Sequence, residues 1–223
     1  MRREEMTVVE RVPGRAGELV LRRGGGHFEI VANGVFLMDT RGGRSERLHV
    51  TAAADAMPAP GRMMIGGLGV GFSLAAALAH PRVSEVHVVE REPAVVHWNR
   101  GPLAAVNGAA LRDPRVRVAE ADVVDWLAAA TDGSLDAICL DVDNGPDWLV
   151  SPGNAWLYSG AGLAAAARGL APGGALAIWS AAPSPAFVAR MSEHFAHVQV
   201  TDVPELAATR GDPDVIVLGR RPE

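Results

Sequence analysis

Apolar and polar positions along the chain follow two different rhythms. Between Glu18 and Asp39 the apolar runs are short, at residues 18–22, 27–31 and 35–38, and glycine turns divide them: Gly24-Gly25-Gly26, then Asn33-Gly34. Asn-Gly between two apolar runs favours a tight hairpin, because both residues tolerate positive φ. The stretch therefore predicts a small antiparallel region, too small to fold alone. A helix is expected over 45–56, ended by Pro58 and Pro60. From Arg62 onward, strand runs at 63–66, 85–90, 115–119, 135–140, 175–180, 197–201 and 214–219 alternate with helical stretches at 71–79, 93–99, 123–130, 155–168 and 185–194. Ser184-Pro185 and Glu92-Pro93 fit helix starts, and Ala171-Pro-Gly-Gly174 fits a helix end turning into a strand. Such alternation predicts an α/β fold with a mostly parallel seven-stranded sheet and helices on both faces. No helical stretch separates the last two strand runs, so one of them is expected to run antiparallel. The division expected is a hairpin region over 1–44 and a Rossmann-like catalytic domain over 45–223.

The stretch Met63-Met-Ile-Gly-Gly-Leu-Gly-Val-Gly-Phe72 carries the most chemistry. An apolar strand runs into glycines and then into a strong helix former. Glycines let a ligand approach the backbone closely, and the helix that follows presents free N–H groups. In an open α/β sheet, ligands occupy the crevice beyond the strand C-termini. Glu90 ends the next strand, some twenty residues past the loop. There a carboxylate can accept from both hydroxyls of a ribose. An adenosine-containing cofactor follows from the two features together. NAD stays open, although the last glycine comes one residue earlier than in G-x-G-x-x-G.

Two later acidic positions fall at strand ends. Asp122 precedes an alanine-rich helix, where it can cap the helix, meet an adenine amino group, or do both. Ile138-Cys-Leu-Asp-Val-Asp-Asn-Gly-Pro146 ends a buried strand in Asp141, Asp143 and Asn144. Two carboxylates and an amide could hold an ammonium group or take a proton from one. An Asx-turn would explain part of this pattern. Trp148, just beyond, could wall a substrate pocket or simply pack.

Charge and cysteine usage narrow the partners. The formal net charge is −5, and the arginines are scattered or clustered only near the N-terminus, at Arg2, Arg3, Arg22 and Arg23. A nucleic-acid backbone is therefore not the expected substrate, and an amine suits the acidic balance better. Cys139 is the single cysteine, so neither a disulfide nor a zinc site is expected, and no metal. No leader-like apolar segment opens the chain and no apolar run reaches the ~18 residues of a membrane span. A cytoplasmic protein is the expectation.

Gly66-Gly-Leu-Gly-Val-Gly71, Val88-Val-Glu-Arg-Glu-Pro93, Ala121-Asp122, Leu140-Asp-Val-Asp-Asn144 and Leu170-Ala-Pro-Gly-Gly174 resemble, in order, the motifs of class I S-adenosylmethionine-dependent transferases. Within that class the chain is most similar to spermidine synthases, the polyamine aminopropyltransferases, and the likeness runs from about Glu18 to Gly219. The resemblance implies a class I methyltransferase fold and a cofactor of S-adenosylmethionine or its decarboxylated form. The product would be S-adenosylhomocysteine or methylthioadenosine. It further implies a cofactor site of Gly66, Gly67, Leu68, Gly69, Gly71, Glu90, Arg91, Asp122, Val123 and Asp141. The catalytic candidates are then Asp141, Asp143 and His49, and the substrate would meet Asp143, Asn144 and Trp148. The chain departs from the family's pattern at several positions. Asn144 stands at the second aspartate of the loop motif, and an amide is no base. Leu68 stands where the family's glycine loop has aspartate. Leu37, His49 and Val50 stand where it has Gln, Tyr and Gln. Of these, His49 could be a replacement base.

Three functions remain open on sequence: aminopropyl transfer to a small amine, methyl transfer to a small molecule, and cofactor binding without catalysis. Exposed hairpin edges could also pair two copies into a homodimer.

Overall fold

The computed structural model describes residues 6–203 and 213–223. Arg2, Arg3 and most of the connection between the last two strands lie outside the described residues. Two sheets organise the rest. The first is an antiparallel meander of β1 (Thr7–Gly14), β2 (Gly17–Gly24), β3 (His27–Ala32) and β4 (Val35–Asp39). The strand β1 has no counterpart in the sequence reading. Its residues are exposed or half-buried throughout, so no apolar face marks it, and its Pro13 is tolerable because β1 is an edge. Asn33 adopts φ 50° and Gly34 φ 79°, as the hairpin turn requires.

Helix α1 (Arg44–Ala56) leads into the second sheet. It comprises β5 (Gly61–Gly66), β6 (Val83–Val89), β7 (Val116–Ala119), β8 (Leu135–Leu140), β9 (Leu170–Ser180), β10 (Ala196–Val203) and β11 (Asp214–Arg220). The strand order is β10-β11-β9-β8-β5-β6-β7. Strands β5 to β9 pair in parallel, whereas β11 is antiparallel to both β9 and β10. The order reverses between β5 and β8, which opens a crevice at the sheet's carboxyl edge.

Helices α2 (Phe72–Ala79), α3 (Pro93–Arg100), α4 (Val123–Ala128), α5 (Gly160–Gly169) and α6 (Pro185–Ser192) cover the two faces. Along β8, Ala137 and Cys139 point into one buried cluster and Ile138 and Leu140 into the other, the period-two signature of a strand buried on both sides. The first cluster takes α1 through Val50 and Ala53, α2 through Leu74 and α3 through Trp98. The second takes α4 through Leu127, α5 through Leu163 and α6 through Phe187. Leu19, Leu21 and Ile30 of the meander join the first cluster, so that sheet buries its inner face on the larger domain.

Three local expectations need correction. The helix expected over 155–168 is broken at Ser159: a 3-10 turn covers Pro152–Tyr158, and Ser159 caps α5 by accepting from the Gly162 N–H. Gly162 lies so close to the Trp156 carbonyl that a Cβ there would stand 2.1 Å from it. Ala171-Pro-Gly-Gly174 is no helix end but a bulge within β9, with Gly173 at φ 74°. Ser184 occupies the cap position of α6 without a capping bond.

Candidate functional site

Every chemical candidate on the larger sheet except His49 follows the carboxyl end of a parallel strand. The glycine loop follows β5. Gly67 donates to the Val89 carbonyl at 2.9 Å and adopts φ 89°, where an added Cβ would stand 2.7 Å from the backbone oxygen of Asp141. Gly71, also at φ 89°, begins α2. A Cβ on Gly71 would meet Asn99 and Asn107 at 2.7 Å. Those two asparagines brace the loop from behind. Asn99 Nδ2 donates to the Gly69 carbonyl at 2.8 Å, and Asn107 Nδ2 donates to Asn99 Oδ1 at 2.7 Å. Neither was recognised in the sequence, where a buried asparagine pair is hidden within a helix and a turn. Above the loop, Met38 of β4 approaches Gly69, so Met38 rather than Leu37 is the meander's contact with it.

An Ala at Gly67 must accept both the positive φ and the Asp141 backbone. Gly34→Ala meets nothing within 4 Å and bears only the conformational strain. We expect Gly67→Ala to cost about 2–3 kcal/mol and Gly34→Ala about 1 kcal/mol, read by urea denaturation. Equal losses would mean that the approach to Asp141 carries no weight.

Glu90 follows β6 and is 7 % exposed. Its Oε2 accepts the Leu68 N–H and its Oε1 the Glu92 N–H, both at 2.8 Å. Burial pushes its pKa up and the Glu92 charge adds to this, while the backbone N–H groups of Leu68, Glu92 and Arg91 pull the other way. Each oxygen keeps a lone pair for a further donor. A buried carboxylate beside a braced glycine cradle fits the ribose of an adenosine group. Leu68 is buried beneath the loop, and Arg91 lies next to Glu92 at 3.7 Å. Asp122 caps α4, its Oδ1 accepting from the Val124 N–H at 2.9 Å, and Val123 is buried behind it. The cap uses Oδ1, which leaves Oδ2 able to accept a further donor.

Asp141 follows β8, and its N–H donates to the Gly66 carbonyl at 3.2 Å. Its carboxyl pKa is pushed up to about 7, first by burial and then by the charges of Glu46 and Asp214. Glu46 sits in the first turn of α1, and Asp214 opens the antiparallel β11, which brings both to this same edge.

Asp143 is 5 % exposed and faces its own loop. It accepts from the Val150 and Ser151 N–H groups, the Asn154 amide and the Tyr158 hydroxyl. The Asn144 carbonyl accepts from the Ala181 N–H at 3.0 Å. Trp148 is 59 % exposed at the rim. His49 is not where a base at the crevice would be. It is 1 % exposed beneath the sheet, and its Nε2 donates to the Ala177 carbonyl at 2.9 Å. Burial pushes its pKa down to about 4, so it is neutral at physiological pH.

Away from the crevice, His27, Glu29 and Asp39 bring three potential metal-ligand atoms within 4.8 Å of one another. Arg22 and Arg41 already pair with these carboxylates, which balances the charge a cation would otherwise supply.

No family model matches the sequence. A polyamine aminopropyltransferase of Mycobacterium tuberculosis (strain ATCC 25618 / H37Rv) is 33 % identical over 170 residues, 74 % of this chain and 31 % of that protein. Putrescine N-methyltransferase 1 of Nicotiana tabacum is 34 % identical over 87 residues, 38 % of this chain and 22 % of that protein. The chain thus spans less than a third of the length of either curated relative. A crystal structure of spermidine synthase in complex with the transition state analogue AdoDATO superposes with a TM-score of 0.81 at 16 % identity, covering 96 % of this chain and 73 % of that one. At that identity the likeness establishes the fold. Among the described residues, no helix is long and apolar enough to cross a membrane.

Proposed function

We propose that this chain, a spermidine synthase-like protein of the class I methyltransferase fold, transfers an aminopropyl group from decarboxylated S-adenosylmethionine to a small amine. The observation that carries the reading is Asp141: a carboxyl beside the glycine loop whose pKa of about 7 lets it take a proton near neutrality. An alkylammonium holds its proton to about pH 10. An ordinary aspartate is a poor acceptor for that proton, and a carboxyl pushed up to about 7 removes about 4 kcal/mol of the mismatch.

The roles divide as follows. Glu90 receives the ribose hydroxyls and Asp122 the adenine amino group, while the glycine loop lets the cofactor lie close to the backbone. The bound sulfonium supplies an electrophilic carbon and a neutral thioether as leaving group. Asp141 accepts the proton that the amine gives up as its nitrogen bonds to that carbon and the carbon–sulfur bond breaks. Much of the rate comes from holding the two reactants in line.

Methyl transfer to an amine is the second reading, favoured by the likeness to a putrescine N-methyltransferase. The fold and Asp141 serve both. Calorimetric titration with S-adenosylmethionine, its decarboxylated form and methylthioadenosine separates them. We expect the decarboxylated form to bind at least about tenfold tighter than the intact one, about 1.4 kcal/mol, because Glu46, Asp141 and Asp214 disfavour a carboxylate. The reverse preference would turn the assignment to methyl transfer. Tight binding without turnover of any amine in a broad panel would leave a cofactor-binding protein without catalysis.

A further inference from the structure

Asp143 draws donors from a segment that begins seven residues beyond it. Oδ1 accepts the Val150 N–H at 2.6 Å, the Ser151 N–H at 3.4 Å and the Asn154 amide at 3.0 Å, and Oδ2 accepts the Tyr158 hydroxyl at 3.1 Å. A carboxylate buried to this degree is costly unless donors surround it, and here they do. Burial and the Asp143 charge push the Tyr158 hydroxyl up, so it stays a donor across the working pH range. The near end of the segment is tied as well. Ala181 donates to the Asn144 carbonyl, and Gly145 lies so close to Ser180 that a Cβ would stand 2.1 Å from its hydroxyl oxygen. Trp148 and Val150, both exposed, are thus carried on a span that is fixed at both ends and begins four residues past Asp141.

We propose that Asp143 is a positioning residue, a carboxylate clasp that holds residues 145–158 at the crevice rim so that Trp148 walls the acceptor pocket, and that it acts on acceptor binding without serving as the base. The role of Trp148 rests on the function proposed above; the clasp rests on the hydrogen bonds alone. Asp143→Asn keeps the shape but sets an amide N–H₂ against either the backbone donors or the Tyr158 hydroxyl. Tyr158→Phe removes one donor and leaves the others.

The test measures hydrogen exchange at the Val150 and Ser151 amides, together with amine kinetics across pH and methylthioadenosine binding. For Asp143→Asn we expect exchange about tenfold faster or more, and an acceptor KM raised by about tenfold. The kcat profile should keep its limb near pH 7, and methylthioadenosine affinity should stay within about twofold. Tyr158→Phe should move exchange and KM in the same direction by a smaller factor. Unchanged exchange in both variants would overturn the clasp. Faster exchange with an unchanged KM would overturn the link to the acceptor, and loss of the pH limb would make Asp143 the base. If the wild-type protein turns over no amine, the functional reading fails, while the exchange measurement still decides the clasp.

Discussion

Replacing Asp141 with asparagine is expected to stop turnover and, at alkaline pH, to stabilise the fold. A side chain that takes a proton in the transition state contributes about 10²–10⁴ in rate, and an amide cannot replace it. In the unmodified protein, kcat/KM should rise with pH below about 7 and level off above it, because the carboxyl must be ionised to accept. The stability effect has the opposite sign. The folded-state pKa of about 7 lies above the 3.8 of an ordinary aspartate. Between those values the unfolded chain releases its proton while the folded protein keeps it. Stability therefore falls as pH rises through that window. Asp141 is half-buried rather than fully enclosed, and allowing for this the loss is on the order of 3 kcal/mol by pH 8. Asparagine escapes it, as well as the repulsion from Glu46 and Asp214. We expect the variant to melt higher than the unmodified protein by roughly 5–10 °C at pH 8, with little difference at pH 4. Thermal melts at the two pH values, beside an amine-transfer assay, check both halves. A melting difference that ignored pH would show that Asp141 is not the titrating group, and turnover within about tenfold of the unmodified protein would remove it as the base.

Glu90→Gln is expected to weaken binding of methylthioadenosine by about a hundredfold or more, because hydrogen bonds to a charged group contribute about 1.5–3 kcal/mol each and two ribose hydroxyls lose them. The loop suffers too. Both carboxylate oxygens accept backbone N–H groups, from Leu68 and Glu92. Glutamine offers one oxygen, so its N–H₂ must face one of those donors, and a buried donor is left unpaired at a cost of about 1–3 kcal/mol. Calorimetry gives the affinity and urea denaturation the stability. A stability loss with affinity held within about threefold would reduce Glu90 to a brace for Leu68.

Much of this was legible in the chain itself, because it depends on neighbours in sequence. Ala137 and Cys139 alternate with Ile138 and Leu140 because a doubly covered strand has period two, and the alternation of such strands with helices implied the parallel sheet. The glycines were visible because the loop needs positive φ at Gly67, Gly69 and Gly71. Glu90 stood at the distance one strand–helix–strand unit imposes. The cap at Asp122 is local and was readable as one of two roles. What the sequence could not carry was the environment of a side chain. Asp143 and Asp141 are two residues apart and chemically identical, yet one lies among four donors and the other between two distant carboxylates. His49 had the chemistry of a base, and the packing of α1 on β9 made it a buried, neutral hydrogen-bond donor. The edge strand β1 only half-buries one face, with Val12 as its apolar contact, and so left little apolar pattern. Backbone conformation and hydrophobic period are short-range and are written into consecutive residues. Desolvation, charge–charge coupling and hydrogen-bond partners belong to groups that meet only when the chain has folded, and in this protein they set Asp143 among donors and Asp141 beside distant carboxylates.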